Sequence, residues 1–418
     1  MNWTEDAHNT VEPAIMNFDY ETFARKWLDD VLDSQEPNGH VPPINPTAIW
    51  GKSLPNGAPP DWSDPWWAGV VVEIPWFIAT YYGDVDVLRR SYGPMKRYVD
   101  YLAGTTKEWP FLDWWLGDWL EVGADGGRST RTPIVQCSTI AYYHYAVQVA
   151  RAARLLHRAD DAERYGRLAE RIKAAYNARF LDPAAGRYAR DSQSAQAMPL
   201  ALGLAPVERR AAILQRLVEN AVERKGHISA GFVGYQYVLR ALTACGRADL
   251  AYCMAATEEY PGWGHMVRDG GTNLWEAWNG SAYNFTSLGA VGAWMFEALG
   301  GIRPDPGQPG YRRIIVRPHA VEGIAWARAG TRTPYGMVAA HWRKAGGAFA
   351  LSVMIPCGST AEVWTPAQAA AEVRESGRPT ASSAHVRFLR MEDGCAVYEV
   401  GSGKYRFTGP LSRGSKAR

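Results

Sequence analysis

Apolar residues in this chain keep one spacing as far as Gly301 and another after it, and this change constrains the fold more than any other feature. Up to Gly301 they recur at three- and four-residue intervals, interrupted by Gly- and Pro-rich connections. That pattern predicts helices over 3–16, 19–35, 66–82, 86–104, 133–157, 160–180, 193–203, 206–224, 232–244, 247–258, 271–279 and 284–299. The stretch 160–176, with Ala, Leu and Ile on one face between Arg, Glu and Lys, and the stretch 206–222, with Pro206 at its start, carry the clearest signals. Connections of alternating length between so many helices fit helical hairpins closed into an (α/α)6 toroid, with its loops around one mouth. An α-solenoid is disfavoured because no period of about 34 to 45 residues repeats.

Beyond Gly301, Pro304, Pro306, Pro309 and Gly310 form a linker-like run. Short strand-type segments follow at 313–317, 324–332, 337–342, 349–355, 360–364, 386–389, 396–400 and 405–408. Their spacing and Gly-rich turns predict an antiparallel β-sandwich. The expected organisation is therefore a helical barrel over 1–302, a C-terminal β-sandwich over 303–411 and a flexible basic tail over 412–418.

With 47% hydrophobic and 21% charged residues, the chain reads as an ordinary globular protein, and its formal charge of +2 creates no global field for nucleic acid or an anionic membrane. No apolar run reaches the roughly 20 residues that span a bilayer, and the polar start does not resemble a signal peptide. Five cysteines occur without a C-x-x-C pair or a His at metal-ligand spacing. Reduced thiols, no metal, no cofactor and a cytoplasmic location are the expectations; the sequence does not address oligomeric state.

Eighteen tryptophans are an unusual load, and several stand next to carboxylates. The segment 260–279 places Glu276 between Trp275 and Trp278, downstream of Trp263, His265 and Asp269. Trp66-Trp67, Asp113-Trp114-Trp115 and Asp118-Trp119 repeat the association. Indole faces next to acids suit a sugar, whose C–H face packs on the ring while hydroxyls and the anomeric centre meet carboxylates. Glycoside hydrolysis requires two carboxyl groups across the scissile bond, and Glu276 is the first choice for the ionised one. Asp118 ranks second, although a Gly-Asp-Trp turn also accounts for it, and Asp6 ranks third beside a helix-capping role. Asp113, Asp61 and Asp64 rank below these. Trp66, Trp67, Trp115, Trp119, Trp263 and Trp275 are the candidate sugar platform, with His265 beside it. No nucleophile-elbow serine and no phosphate-binding glycine loop is found.

Ordered motifs along nearly the whole chain resemble those of bacterial α-L-rhamnosidases. They include Trp3-Thr-x-Asp6-Ala7, Phe23-x-x-Lys26-Trp27-Leu28, Tyr82-Gly-Asp84, Gly117-Asp-Trp-Leu120, Ser192-Gln193-x-Ala195 and Gly231-Phe-Val-Gly234. Tyr260-Pro-x-Trp-Gly264, Thr272-x-x-Trp-Glu-x-Trp278, Gly289-Ala-Val-Gly292 and Gly310-Tyr-x-x-x-x-Val-Arg-Pro-His319 continue the series. The resemblance implies an inverting glycoside hydrolase with an (α/α)6 barrel and a β-sandwich. It also implies that Glu276 is the base that activates water and that Asp6 holds the substrate sugar.

In that family the general acid lies in a loop just before the W-T-x-D element, where this chain begins. Its hydrolysis is therefore expected to be weak, unless Glu5, at a position where the family often has Gly, replaces the missing acid. Other departures are Trp66-Trp-Ala-Gly69 for the usual Trp-Gly-Asp or Trp-Gly-Ser, Asn284-Phe285 for Asn-His, and Glu276-Ala-Trp278 for Glu-Arg-Trp. The alternatives are a catalytically impaired carbohydrate-binding protein and a hydrolase or lyase of unsaturated uronides. An inverting mechanism predicts carboxyl groups roughly 6.5–9.5 Å apart.

Overall fold

The computed structural model of the chain describes residues 2–47, 51–55, 60, 63–114, 116–280 and 282–411. Two compact units emerge. One comprises Met1–Ile15, Asp19–Ile78 and Val85–Val291, and the other Met16–Phe18, Ala79–Asp84 and Gly292–Arg418.

The first unit is helical: α1 (Thr4–Asn17), α2 (Glu21–Ser34), α3 (Pro65–Ala68), α4 (Val70–Tyr82), α5 (Val85–Gly104), α6 (Ile134–Leu155), α7 (Ala159–Phe180), α8 (Gln193–Leu202), α9 (Arg210–Glu223), α10 (Gly234–Ala244), α11 (Ala248–Ala256) and α12 (Trp263–Arg268), with α13 (Ala290–Trp294) at its end. Burial alternates along this series. Helices α4, α6, α8 and α10 are buried on nearly every side, whereas α2, α5, α7 and α9 bury a single stripe, such as Tyr165, Ala169, Ile172 and Tyr176 in α7. A helix flanked by protein all round must be apolar all round, whereas one facing water needs only one apolar face. Helix α6 packs on α5 and α7, and α8 packs on α9 and α10. This alternation of inner and outer helices is the barrel-type arrangement expected from the sequence.

Local chemistry sets the helix ends. Asp64 caps α3 by accepting from Trp66 N at 2.9 Å, with Pro65 in the first turn, where its missing N–H costs nothing. Ser192 caps α8 by accepting from Ala195 N at 3.0 Å, and Gly203 ends that helix at φ 83°. One predicted helix does not form. Residues 271–279 are turns and a bridge, and the six-residue α12 precedes them. Gly270 at φ 84° and Gly280 at φ 74° break the helical path at both ends.

The second unit is sheet-rich. A five-stranded sheet runs in the order Val386–Glu392, Cys395–Val400, Thr360–Pro366, Arg313–Val316, Ile302–Pro304. A six-stranded sheet runs in the order Arg378–Pro379, Arg374–Glu375, Gly403–Pro410, Ala348–Ile355, Gly336–Ala345, Trp326–Thr333. The eight predicted strands are present, and three very short ones carried too few residues to show alternation. The two sheets meet through rings such as Tyr398 and Phe407, stacked 5.6 Å apart. Pairing departs from the antiparallel expectation at one place, where Thr360–Pro366 lies parallel to Arg313–Val316. A parallel neighbour needs a long crossover, and the whole hairpin system between them provides one. The tail 412–418 lies outside the described residues.

Candidate active site

The start of α1 is clamped from three directions. Strand Asn2–Trp3 pairs antiparallel with Ile44–Asn45, Thr4 N donates to Pro43 O at 2.9 Å, and the Thr4 hydroxyl reaches Pro43 O at 3.0 Å and Trp67 O at 2.6 Å. Thr4 is therefore a tertiary anchor rather than a helix cap. Fixing this turn fixes the two carboxyl groups that follow it.

Glu5 is 1% exposed. Asn9, one turn later, donates to its Oε1, while Oε2 is buried without a partner. Asn9 is itself held by donating to Phe232 O at 3.2 Å and accepting from Gln236 Nε2 at 3.0 Å. Burial, and then the adjacent Asp6 carboxylate, hold the Glu5 carboxyl well above its ordinary range. Asp6 accepts from the Ser287 hydroxyl at 2.6 Å. Burial raises its pKa too, and the Ser287 bond opposes that shift.

Glu276 belongs to a hairpin-like loop. Glu276 N donates to Ala282 O at 2.9 Å, Phe285 N donates to Leu274 O at 3.1 Å, and Trp275 bridges Tyr283. Neighbouring side chains of extended backbone point to opposite faces. Accordingly, Glu276 and Trp275 face different cavities. Burial, and secondarily the charge of Asp6, raise the Glu276 carboxyl above its usual value.

The first cavity, of ≈ 290 Å³, is lined by Glu5, Asp6 and Glu276 together with Trp3, Trp67, Leu116, Trp119, Phe232 and Phe285. Three carboxyl groups with displaced proton affinities thus share one aromatic-walled space that can hold a small sugar. The second cavity, of ≈ 460 Å³, carries His265, Asp269 and Trp275, with Tyr283 edge-on to the Trp275 indole. Two residues expected in one sugar platform, His265 and Trp275, are therefore grouped apart from Glu276.

Trp67 and Trp119 line the first cavity, but Trp66 does not. It is fully buried, its Nε1 donates to Cys137 O at 3.1 Å, and it stacks on His8 at 5.5 Å. Consecutive positions on the short α3 point in directions about 100° apart, so only one of the pair can face the cavity. Trp263 is also a packing residue, donating to Leu288 O at 3.1 Å and lying edge-on to Trp278 at 4.8 Å. Trp115 lies outside the described residues, as does Asp61.

Asp118 is fully buried and lines neither cavity. Its Oδ2 accepts from Ser194 Oγ at 2.5 Å and Gly231 N at 2.9 Å, and its Oδ1 from Val233 N at 3.2 Å and Gly234 N at 2.8 Å. With 0% exposure, it ties the Trp119 loop to the start of α10. Glycine is required at 231 because a Cβ would collide with the carbonyls of Asp118 and Trp119. The corresponding Cβ at 234 would meet Ser194 Oγ. The predicted sugar contact at Asp118 is therefore a structural staple. Trp3, Phe232 and Phe285 line the cavity although they were not among the candidate site residues. Trp3 and Phe232 belong to quoted motifs, and Phe285 stands at the position where the resemblance implies a histidine.

Comparison with known proteins gives a consistent picture. The bacterial α-L-rhamnosidase six-hairpin glycosidase domain matches residues 1–299, and the bacterial α-L-rhamnosidase C-terminal domain matches residues 301–379. An α-L-rhamnosidase from Streptomyces avermitilis is 32% identical over 98% of this chain and 38% of its own length. One from Formosa agariphila is 27% identical over 99% of this chain and 45% of its own. Among solved structures, Streptomyces avermitilis α-L-rhamnosidase complexed with L-rhamnose superposes with a TM-score of 0.86 at 31% identity, covering 97% of this chain and 38% of that one. The Dictyoglumus thermophilum α-L-rhamnosidase gives a TM-score of 0.88 at 31% identity, covering 98% and 46%. The chain thus spans less than half the length of these relatives. From its barrel through most of its sheet-rich unit, the chain belongs to the bacterial α-L-rhamnosidase family.

Proposed function

We propose that the protein hydrolyses terminal α-L-rhamnosyl, or related deoxy-sugar, linkages with inversion at the anomeric carbon. The observation that carries this reading is the convergence of Glu5, Asp6 and Glu276 on one aromatic-walled cavity. Glu276 takes a proton from water as the water oxygen bonds to the anomeric carbon, the bond to the leaving oxygen breaks, and Glu5 delivers its proton to that oxygen. Glu5 suits this role because its buried carboxyl retains the proton to higher pH than an ordinary glutamate. Asp6, steadied by Ser287, holds a sugar hydroxyl, and Trp3, Trp67 and Trp119 wall the ring. All five cysteines are unpaired, which supports action in the reducing cytoplasm.

The test is turnover of an aryl α-L-rhamnoside by the purified chain, with the first-formed anomer read by NMR. Inverted product, and loss of about 10²–10⁴ in kcat for Glu276→Gln, are expected. Sugar-dependent tryptophan fluorescence without turnover in either protein would instead identify a carbohydrate-binding protein.

A further inference from the structure

The outward face of the six-stranded sheet carries a second potential binding surface. Trp326–Thr333, Gly336–Ala345, Ala348–Ile355 and Gly403–Pro410 are neighbours in that order, and the register sets Arg328 opposite His341, His341 opposite Ser352 and Ser352 opposite Arg406. Alternation turns Phe349, Leu351, Val353 and Phe407 inward, leaving this row exposed. A groove of ≈ 390 Å³ runs over it, with Lys404 and Tyr405 along its side. Three strand spacings separate Arg328 from Arg406, roughly 14 Å.

These cations are unneutralised. Among the described residues, no carboxylate lies within ion-pair distance of Arg328, Lys404 or Arg406, and the nearby Glu375 instead accepts from Arg406 N at 3.5 Å and Ser376 Oγ at 2.6 Å. On the other sheet three arginines are matched: Arg313 with Glu362 at 2.8 Å, Arg387 with Glu399 at 2.5 Å and Arg390 with Glu362 at 2.9 Å. This face gathers positive potential from exposed cations that no carboxylate offsets. It is complementary to a ligand with regularly spaced negative charges. At one end Trp326 is 61% exposed, edge-on to His341 at 6.2 Å.

We infer that this groove binds an acidic glycan, a chain of pyranose units bearing carboxylates. Arg328 and Arg406 meet carboxylates on separate, non-adjacent units of the chain, Ser352 meets hydroxyls, and Trp326 offers its indole to a ring face. Single-stranded nucleic acid fits less well, because it needs successive aromatic platforms along the basic track and the floor here is Ala339, Met354 and serine.

The full chain is titrated with an oligogalacturonate, a neutral galactan oligosaccharide of equal length and polyuridylate. Oligogalacturonate is expected to bind about tenfold or more tightly than the neutral chain, and more weakly as salt is raised. A double variant, Arg328→Glu with Arg406→Glu, loses that preference, and Trp326→Ala weakens oligogalacturonate several-fold. The replaced side chains are exposed, so melting temperature stays put; if it does not, Arg328→Gln with Arg406→Gln makes the same test without charge reversal. Equal binding of the acidic and neutral oligosaccharides, binding unchanged in the variants, or polyuridylate binding as tightly as oligogalacturonate would each overturn the inference.

Discussion

Replacing Glu5 by Gln separates a proton donor from a packing residue, because the structure makes opposite predictions for stability and rate. The amide is isosteric and can keep the contact with Asn9, whose Nδ2 donates to Oε1. It places one extra N–H where Oε2 now lies buried without a partner, costing about 1–3 kcal/mol. That cost is independent of pH, whereas the behaviour of Glu5 is not. A carboxyl whose folded pKa is raised contributes its full stability below the unfolded value, near 4.5, and loses it as pH climbs through the folded pKa. The variant is thus about 1–3 kcal/mol less stable than the parent at pH 4. It gains on the parent as pH rises, by about 1.4 kcal/mol for each unit of displacement.

Rate moves the other way. Removing a general acid costs about 10²–10⁴, or roughly 3–5.5 kcal/mol of barrier, and the loss concentrates on substrates with poor leaving groups. The assay compares kcat/KM on alkyl and dinitrophenyl α-L-rhamnosides from pH 4 to 9, beside thermal melts at the same pH values. In the parent, activity is expected to rise as Glu276 ionises and to fall as Glu5 loses its proton, with both limbs above those of ordinary carboxyl groups because both carboxyls are raised. If Glu5→Gln hydrolyses the alkyl substrate within threefold of the parent and keeps the alkaline limb, Glu5 is not the donor.

Asp118→Ala removes the acceptor for three backbone N–H groups and the Ser194 hydroxyl; a loss above about 3 kcal/mol in urea unfolding is expected, and a loss under 1 would contradict the staple. Burial pushes Asp64 and Glu73 up to about 7, so their contribution to stability is complete below pH 4 and falls away as pH rises through 7. Glu73, 3.3 Å from His8 Nε2 and 3.2 Å from His144 Nε2, is the one to replace: Glu73→Gln should flatten the decline in melting temperature between pH 5 and 8, and an unchanged slope would refute its assignment.

Much of the architecture was legible because periodicity reports burial. The all-round burial of α6 against the single stripe of α7, and the alternation in Ala348–Ile355, are written in the residues themselves. The failure at 271–279 has a local cause that composition hides: tryptophans at helical spacing also suit a hairpin once flanking glycines adopt positive φ. Pairing of Thr360–Pro366 with Arg313–Val316 was illegible because strand partners lie far apart in sequence.

Sequence alone located the three acids and two of the tryptophans that line the carboxylate cavity, since residue type and motif order are properties of the chain. Which of them face one another was set by folding. Trp67 lines the cavity while Trp66 is sealed behind it, and Asp118 spends its lone pairs on Ser194, Gly231, Val233 and Gly234. Glu5 meets Glu276 across 271 positions of sequence in a shared cavity. A pattern of apolar and polar residues specifies which face is buried. Whether a buried side chain borders a void or another side chain depends on packing against segments distant in the chain, which local periodicity does not encode.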